Sequence, residues 1–325
     1  MIDITTQYAG LKLRNPIIVG SSGLTRNPER NKEFEKAGAG AIVLKSLFEE
    51  QIEMKSERLG HSSDYPNAED YIREYVKANE VTDYLELIKK TKAHCTIPII
   101  ASINCYKADA WIDFARQIEI AGADALELNI HIMETGLTDN YDAVRLLYVD
   151  IIRKVKQTIS IPVIIKIGKL FNNIPAIVNT LKVNGADGVV LFNRFYQSDI
   201  DINTMQLVSG NVFSSHSDLS DTLRWTAIVS GLIPDIHIAS STGIHDWEDV
   251  IKCLLAGASA VQMCSALYTS GGTIISQILT CMEEWMTQAN YQSLADFRGK
   301  LNYANIQNPA MYERSQFMKY FSSRD

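Results

Sequence analysis

Two lysines and a small set of amides, hydroxyls and glycines stand where they could act on one small molecule. Lys45 directly follows the apolar run Ala41-Ile42-Val43-Leu44, and Lys166 follows Val163-Ile164-Ile165. A single lysine in such a place means little, but two at the ends of buried runs are costly unless they meet an anion. Asn104, Asn129 and Asn193 end similar runs. Other runs end in small residues: Gly20-Ser21-Ser22-Gly23, Lys45-Ser46, Ser240-Ser241-Thr242-Gly243 and Cys264-Ser265. The last two precede a helix and a short turn, so their backbone N–H groups could cradle a phosphate. Each is also compatible with an ordinary tight turn. The two lysines are what favour an anionic ligand.

These residues need a scaffold that brings the ends of many strands to one place, and the sequence contains one as an internal repeat. Gly-Ala steps lead into apolar runs at Gly38-Ala39, Gly122-Ala123, Gly185-Ala186 and Gly257-Ala258. Pro16, Pro98, Pro162 and Pro234 lead into four more, and the two kinds alternate along the chain. A glycine before a strand suits the end of the preceding helix, and a proline at a strand start needs no ladder hydrogen bond. Helices are expected from Asn27-Pro28 to about Lys36 and over roughly 108–120, 141–158, 174–183, 218–230, 246–255 and 273–288. Eight buried strands alternating with helices predict an α/β fold, a (β/α)8 TIM barrel with function at the C-terminal ends of its strands. An open Rossmann-like sheet is the competing architecture, but no G-x-G-x-x-G follows the first strand.

Ile2-Asp3-Ile4 and Leu11-Lys12-Leu13, around Gly10, read as an N-terminal hairpin capping the barrel bottom. The polar segment 46–80 is expected to lie over the C-terminal face, with long segments also at 130–140 and 194–217. No linker or low-complexity tract divides 1–325, which reads as a single barrel domain.

Composition narrows the function. The 325 residues are 46% hydrophobic and 21% charged, with net charge −7, which gives no electrostatic case for nucleic acid or an anionic membrane. No apolar run approaches the roughly 20 residues of a membrane span. The N-terminus has no basic-then-apolar signal pattern. Five cysteines without a C-x-x-C pair argue against zinc, iron–sulfur or disulfide frameworks, so no metal is expected and a reducing cytoplasm fits.

The ordered set of short motifs resembles the soluble dihydroorotate dehydrogenases over nearly the full chain. It comprises Asn15-Pro16 with Ser22-Gly23, Ala37-Gly38-Ala39 through Lys45-Ser46, Pro66-Asn67 and Leu126-Glu127-Leu128-Asn129. Ile165-Lys166-Ile167, Asn193, Thr242-Gly243-Ile244 and Ala266-Leu267 complete it. The resemblance implies bound flavin mononucleotide (FMN), a small anionic or cyclic substrate oxidised at a C–C bond, and a homodimer. It implies that Lys166 lies beside the flavin pyrimidine edge, that Lys45 contacts flavin and substrate, and that Asn129 and Asn193 face both. An amide offers a donor and an acceptor together, which suits a pyrimidine edge. Ser21, Ser22, Gly23, Ser46 and Asn104 join them at the cofactor, with the phosphate on Thr242-Gly243 and Cys264-Ser265.

The substrate half departs from the pattern. The family carries its base on the loop after the fourth strand, in Asn-Leu-Ser-Cys-Pro-Asn or with serine for cysteine. Here the sequence is Asn129-Ile130-His131-Ile132-Met133-Glu134, which puts Ile132 at the base position. His131 is the candidate replacement base. Glu134 stands at a substrate-binding asparagine. His61 and Ser63-Asp64-Tyr65 alter the loop that carries Asn67, and Arg194 follows Asn193 where serine is usual. Three readings compete: a flavin oxidoreductase of this family, a flavin-holding homologue or subunit with little turnover, and a flavin-free phosphate-binding barrel.

Overall fold

The computed structural model describes residues 2–60, 68–104, 112–130, 132, 141–195 and 197–314. The alternating Pro and Gly-Ala runs form eight parallel strands: β3 (Ile17–Val19), β4 (Ala41–Val43), β6 (Ile99–Asn104), β7 (Ala125–Asn129), β8 (Val163–Ile167), β9 (Gly188–Leu191), β12 (His237–Ser241) and β13 (Ala260–Met263). Each pairs with the next in that order, and β13 returns to pair with β3, so the sheet closes into a barrel. The (β/α)8 architecture expected from the repeat is the observed one. A short strand β5 (Leu47–Phe48) extends the rim by pairing with the end of β6.

Alternation along each strand divides the barrel's inside from its outside. Ile18, Ala41, Val43, Ile100, Ala125, Ile164, Val190, Ala239 and Ala260 form a dry cluster of their own in the lumen, apart from the larger core between strands and helices. The next inward positions up the strands include Ser102, Glu127, Lys166, Ser241 and Gln262. The lumen therefore turns from apolar to polar at the level where the strands end.

The bottom is plugged by a hairpin, β1 (Thr6–Tyr8) and β2 (Leu11–Leu13), whose register is set by Ala9 and Gly10 at φ 47° and 78°. This two-residue turn corrects the expectation that Ile2–Ile4 form the first strand. Left-handed φ at both central residues matches a tight hairpin turn, which fixes pairing to the residues beside it. Asp3 instead bridges Ser293. Tyr8, Ala9 and Leu13 are fully buried in the lumen cluster.

The helices stand near their expected places: α1 (Pro28–Lys36), α4 (Ile112–Ile120), α5 (Tyr141–Thr158), α6 (Ile174–Val183), α7 (Leu219–Leu232), α8 (Trp247–Leu255), the short α9 (Ser265–Ser270) and α10 (Ile274–Gln288). The segment 46–80, expected over the C-terminal face without an assigned secondary structure, is largely helical among its described residues. It contains α2 (Glu49–Gly60) and the start of α3 (Ala68–His94). In α3, Tyr84, Ile88 and Thr91 are buried at helical spacing. The segment 194–217 also gains structure, an exposed hairpin of β10 (Ser198–Asp201) and β11 (Gln206–Ser209).

Carboxylates tie the repeat together at the strand starts. Asp124 accepts from the Ile99 amide and pairs with Lys92; Asp187 accepts from the Val163 amide and pairs with Lys156. Glu35 accepts from the amides of Thr96 and Ile97 and from the Thr96 hydroxyl. Burial raises the Glu35 pKa, but bonds from Lys32 and Thr96 and the charge of Lys32 outweigh it and hold the carboxyl at about 2, against 4.5 for a free group. A depressed folded pKa means stability that is present above pH 4.5 and lost as pH falls toward 2. Glu35→Gln is expected to cost up to about 3 kcal/mol at pH 7. In chemical denaturation that deficit should shrink steadily between pH 4.5 and 2; a deficit independent of pH would refute the assignment.

Candidate active site

A cavity of about 500 Å3 opens at the C-terminal ends of β8, β9, β12 and β13. Its floor is the polar layer of the lumen. Lys166 and Gln262 are 8% and 2% exposed, and both line it. The Lys166 ammonium donates to Gln262 Oε1 at 3.0 Å. Gln262 Nε2 donates in turn to Glu127 Oε2 at 2.5 Å, across the barrel axis. Glu127 is completely buried, and its Oε1 lies 3.8 Å from the Lys166 Nζ. A lysine that ends a buried strand is thus held by one amide and one carboxylate, with its remaining face toward the cavity.

One wall is a strained turn. Thr242 and Gly243 have φ of 83° and 87°, so two successive residues occupy left-handed backbone. A threonine there is unfavourable and persists only because the surroundings fix it. The Thr242 hydroxyl donates to the Phe192 carbonyl, and the Thr222 hydroxyl donates to the carbonyls of Ser241 and Thr242. Opposite stand Cys264 and Ser265, at the start of α9. The Ser265 hydroxyl accepts from the Ser214 amide and so ties the 211–215 loop to the start of α9. Phe213 and Tyr268 pack ring against ring at 5.3 Å beside the opening. Burial pushes the Cys264 thiol up, although a Ser22 hydrogen bond and Lys166 oppose this, so the thiol stays protonated near neutrality.

The structure gathers part of the expected set. Ser21, Lys166, Asn193, Arg194, Thr242, Gly243, Cys264 and Ser265 all line the cavity. Asn129 reaches it through Asn193, whose Nδ2 donates to Asn129 Oδ1 at 3.0 Å. Ser46 lies behind Ser21: the Ser46 amide donates to the Ser21 hydroxyl, and its own hydroxyl bonds to that of Ser102 at 2.7 Å. Ser22 caps the turn Gly23–Arg26, and Asn104 ends β6 at the partner of Phe48; none of Ser22, Gly23, Ser46 and Asn104 lines the cavity. Lys45 is also set apart from the cavity lining, with its ammonium 5.0 Å from the centre of the Phe48 ring. Burial first, and the charge of Arg26 second, push its pKa down. Ile132 is partly buried and packs on the main core. His61, Asn67, His131 and Glu134 lie outside the described residues.

Arg194 is bound more firmly than a rim residue. Its Nη1 donates to Asp218 Oδ2 at 3.1 Å, its Nη2 to the Asn211 carbonyl at 2.9 Å, and its Nε is buried without a partner among the described residues. It anchors the loop that follows the β10–β11 hairpin. Glu127 and Gln262 are the residues that motif reading missed. The signal was available: Ala125, Glu127 and Asn129 alternate on one strand, so a charged residue sits between two inward positions.

Residues 3–286 match the family model described as Dihydroorotate dehydrogenase. A relative from Thermoplasma acidophilum, named dihydroorotate dehydrogenase B (NAD(+)), catalytic subunit, is 29% identical over 310 residues, covering 92% of this chain and 99% of that protein. Relatives of the same name from Methanocella arvoryzae and Pyrococcus furiosus are 30% identical over 286 residues and 27% over 309. They cover 84% and 92% of this chain, and 90% and 98% of those proteins.

The strained turn gives a direct test of the wall. A Cβ on Gly243 would stand 2.3 Å from the Leu219 backbone nitrogen, whereas at Gly271, also left-handed at φ 75°, it would meet nothing within 4 Å. Gly271→Ala is expected to cost about 1 kcal/mol from backbone strain alone. Gly243→Ala should cost clearly more in chemical denaturation; equal costs would show that the turn is not held against α7.

Proposed function

Because the chain belongs to the dihydroorotate dehydrogenase family, we propose that it is an FMN-dependent oxidoreductase acting on a CH–CH bond of a small cyclic or anionic substrate of the dihydroorotate type. The observation that carries this reading is Lys166, a buried lysine that lines a cavity together with the left-handed Thr242-Gly243 turn. The volume of about 500 Å3 and the donor-rich lining fit a flavin mononucleotide. The relatives, named catalytic subunits that act on dihydroorotate, support the same substrate class here. They lend no support to a flavin-free barrel.

Bound FMN would supply the hydride acceptor. Lys166 would place its positive charge where reduction adds negative charge, which favours the reduced state. Thr242, Gly243 and Ser265 would hold the phosphate, and Asn129 and Asn193, already paired, would present amide groups to ring edges. Lys45 would meet substrate from the β5 side, where its lowered pKa reflects desolvation that an anion would relieve. Oxidation of a C–C bond also needs an acceptor for a carbon-bound proton. Ile132 supplies none, so His131 or Glu134 of the same loop would have to take that role, or turnover falls by the 10²–10⁴-fold that a general base contributes.

We also place the protein in the cytoplasm as a homodimer. The described cysteines Cys95, Cys253, Cys264 and Cys281 are free, and no helix among the described residues is long and apolar enough to cross a membrane. The β10–β11 hairpin turns Ile200, Leu207 and, in its loop, Ile202 and Met205 to solvent, an apolar surface that supports pairing of two copies.

The purified protein is expected to show flavin absorption and to release FMN rather than FAD. Mixed anaerobically with dihydroorotate, the flavin should bleach slowly, and Ile132→Cys should quicken bleaching by about 10²-fold or more. Colourless protein that refuses added FMN would overturn the proposal. Fast bleaching that is unaffected by Ile132→Cys and abolished by His131→Ala would assign the proton to His131.

A further inference from the structure

The carboxylate of Glu127 has no evident structural use. It sits in the barrel lumen with no exposure, directly above the apolar layer of Ile18, Val43, Ile100 and Ile164. One of its oxygens, Oε1, has no hydrogen-bond partner among the described residues. A buried ion pair of this kind is often no better for stability than apolar side chains of the same volume. An orphaned carboxylate oxygen makes the balance worse.

What Glu127 does is orient its neighbours. A carboxylate accepts only, so it draws the NH2 end of the Gln262 amide toward itself. The carbonyl end then faces away, toward Lys166, which donates only. The observed bonds follow this order: Lys166 Nζ to Gln262 Oε1 at 3.0 Å, and Gln262 Nε2 to Glu127 Oε2 at 2.5 Å. An amide whose far end is not fixed can turn over and present NH2 to the ammonium. Glu127 is also the one carboxylate within ion-pair distance of Lys166 among the described residues, at 3.8 Å. It therefore fixes both the place of the Lys166 ammonium and how much of its charge goes uncompensated at the cavity floor.

We propose that Glu127 is a positioning residue which, through Gln262, holds the Lys166 ammonium against the bound flavin and sets the flavin's reduction potential. This inference rests on the flavin reading above. The charge of Lys166 favours reduced flavin, and the carboxylate behind it tempers that effect. Removing the negative charge while keeping the shape should shift the equilibrium toward reduction, and removing the positive charge should shift it the other way.

The test is a dye-coupled redox titration of the flavin-loaded protein and three variants: Glu127→Gln, Lys166→Met and the double variant. Glu127→Gln is expected to raise the reduced-to-oxidised ratio at a fixed potential at least tenfold, an upward shift of about 30 mV for a two-electron couple. Lys166→Met should shift it downward. Because Glu127 acts largely through Lys166, adding Glu127→Gln to Lys166→Met should shift the potential clearly less than Glu127→Gln does alone. If Glu127→Gln does not fold, Glu127→Met, uncharged and of similar length, takes its place in both backgrounds with the same expected shifts. An unchanged potential on loss of the Glu127 charge, or a Glu127 effect equally large with and without Lys166, overturns the proposal. If the wild-type protein binds no FMN, it is the flavin reading that has failed, and the two failures cannot be confused.

Discussion

A lysine that is only 8% exposed needs partners for its ammonium, and in this barrel the need is met in one direction only. Gln262 and, through it, Glu127 satisfy Lys166 from below and across the lumen. Above it lies the cavity. The apolar layer and the Tyr8 plug seal the lumen beneath, so the charge can be expressed only toward the strand ends. Burial of Tyr8, reinforced by the charge of Glu127, pushes the phenol pKa well up and keeps the plug neutral. The polarity step between these two layers is what turns a common barrel into a binding site.

Everything else at the site is arranged around that cation. Eight parallel strands bring their C-terminal ends to one rim. The backbone of Thr242 and Gly243, which line the same cavity as Lys166, is left-handed and held by hydroxyls from Thr222 and Thr242 itself. Arg194 and Ser265 hold the 211–215 loop, at the Asn211 carbonyl and the Ser214 amide. Cation at the floor, turn at the wall and aromatic pair at the mouth suit a ligand that carries an anionic group. Membership in the dihydroorotate dehydrogenase family is what points the proposed reading to a flavin.

Much of this was readable from the chain because the repeat is physical. Gly-Ala and Pro steps mark strand starts for backbone reasons, and Asp124 and Asp187 follow two of the Gly-Ala steps to cap neighbouring strands. Lys166, Asn193, Thr242 and Ser265 were legible as strand-end residues. Glu127 and Gln262 were not singled out, since a strand motif shows which residues end a run but not which ones meet across a lumen 135 positions apart in sequence. The hairpin plug was misplaced by a few residues because the turn at Ala9-Gly10, not the apolar pattern, fixes its register. The helix α3 was hidden because its buried stripe is narrow and its other faces are polar. Lys45 looked equivalent to Lys166 in sequence, but the rim strand β5 places Phe48 beside it and sets it apart from the cavity.

The central claim is that Lys166 and the Thr242-Gly243 turn together serve bound FMN, the lysine at the ring and the turn at the phosphate, and equilibrium binding tests it most directly. Protein stripped of any cofactor would be titrated with FMN and, separately, with riboflavin, following quenching of flavin fluorescence, in the wild type and in Lys166→Ala. The account predicts one-to-one binding of FMN by the wild type, much weaker binding of riboflavin because the Thr242-Gly243 turn has no phosphate to hold, and at least tenfold weaker FMN binding by Lys166→Ala. Equal affinity for FMN and riboflavin, or FMN binding that is indifferent to the loss of Lys166, would contradict it.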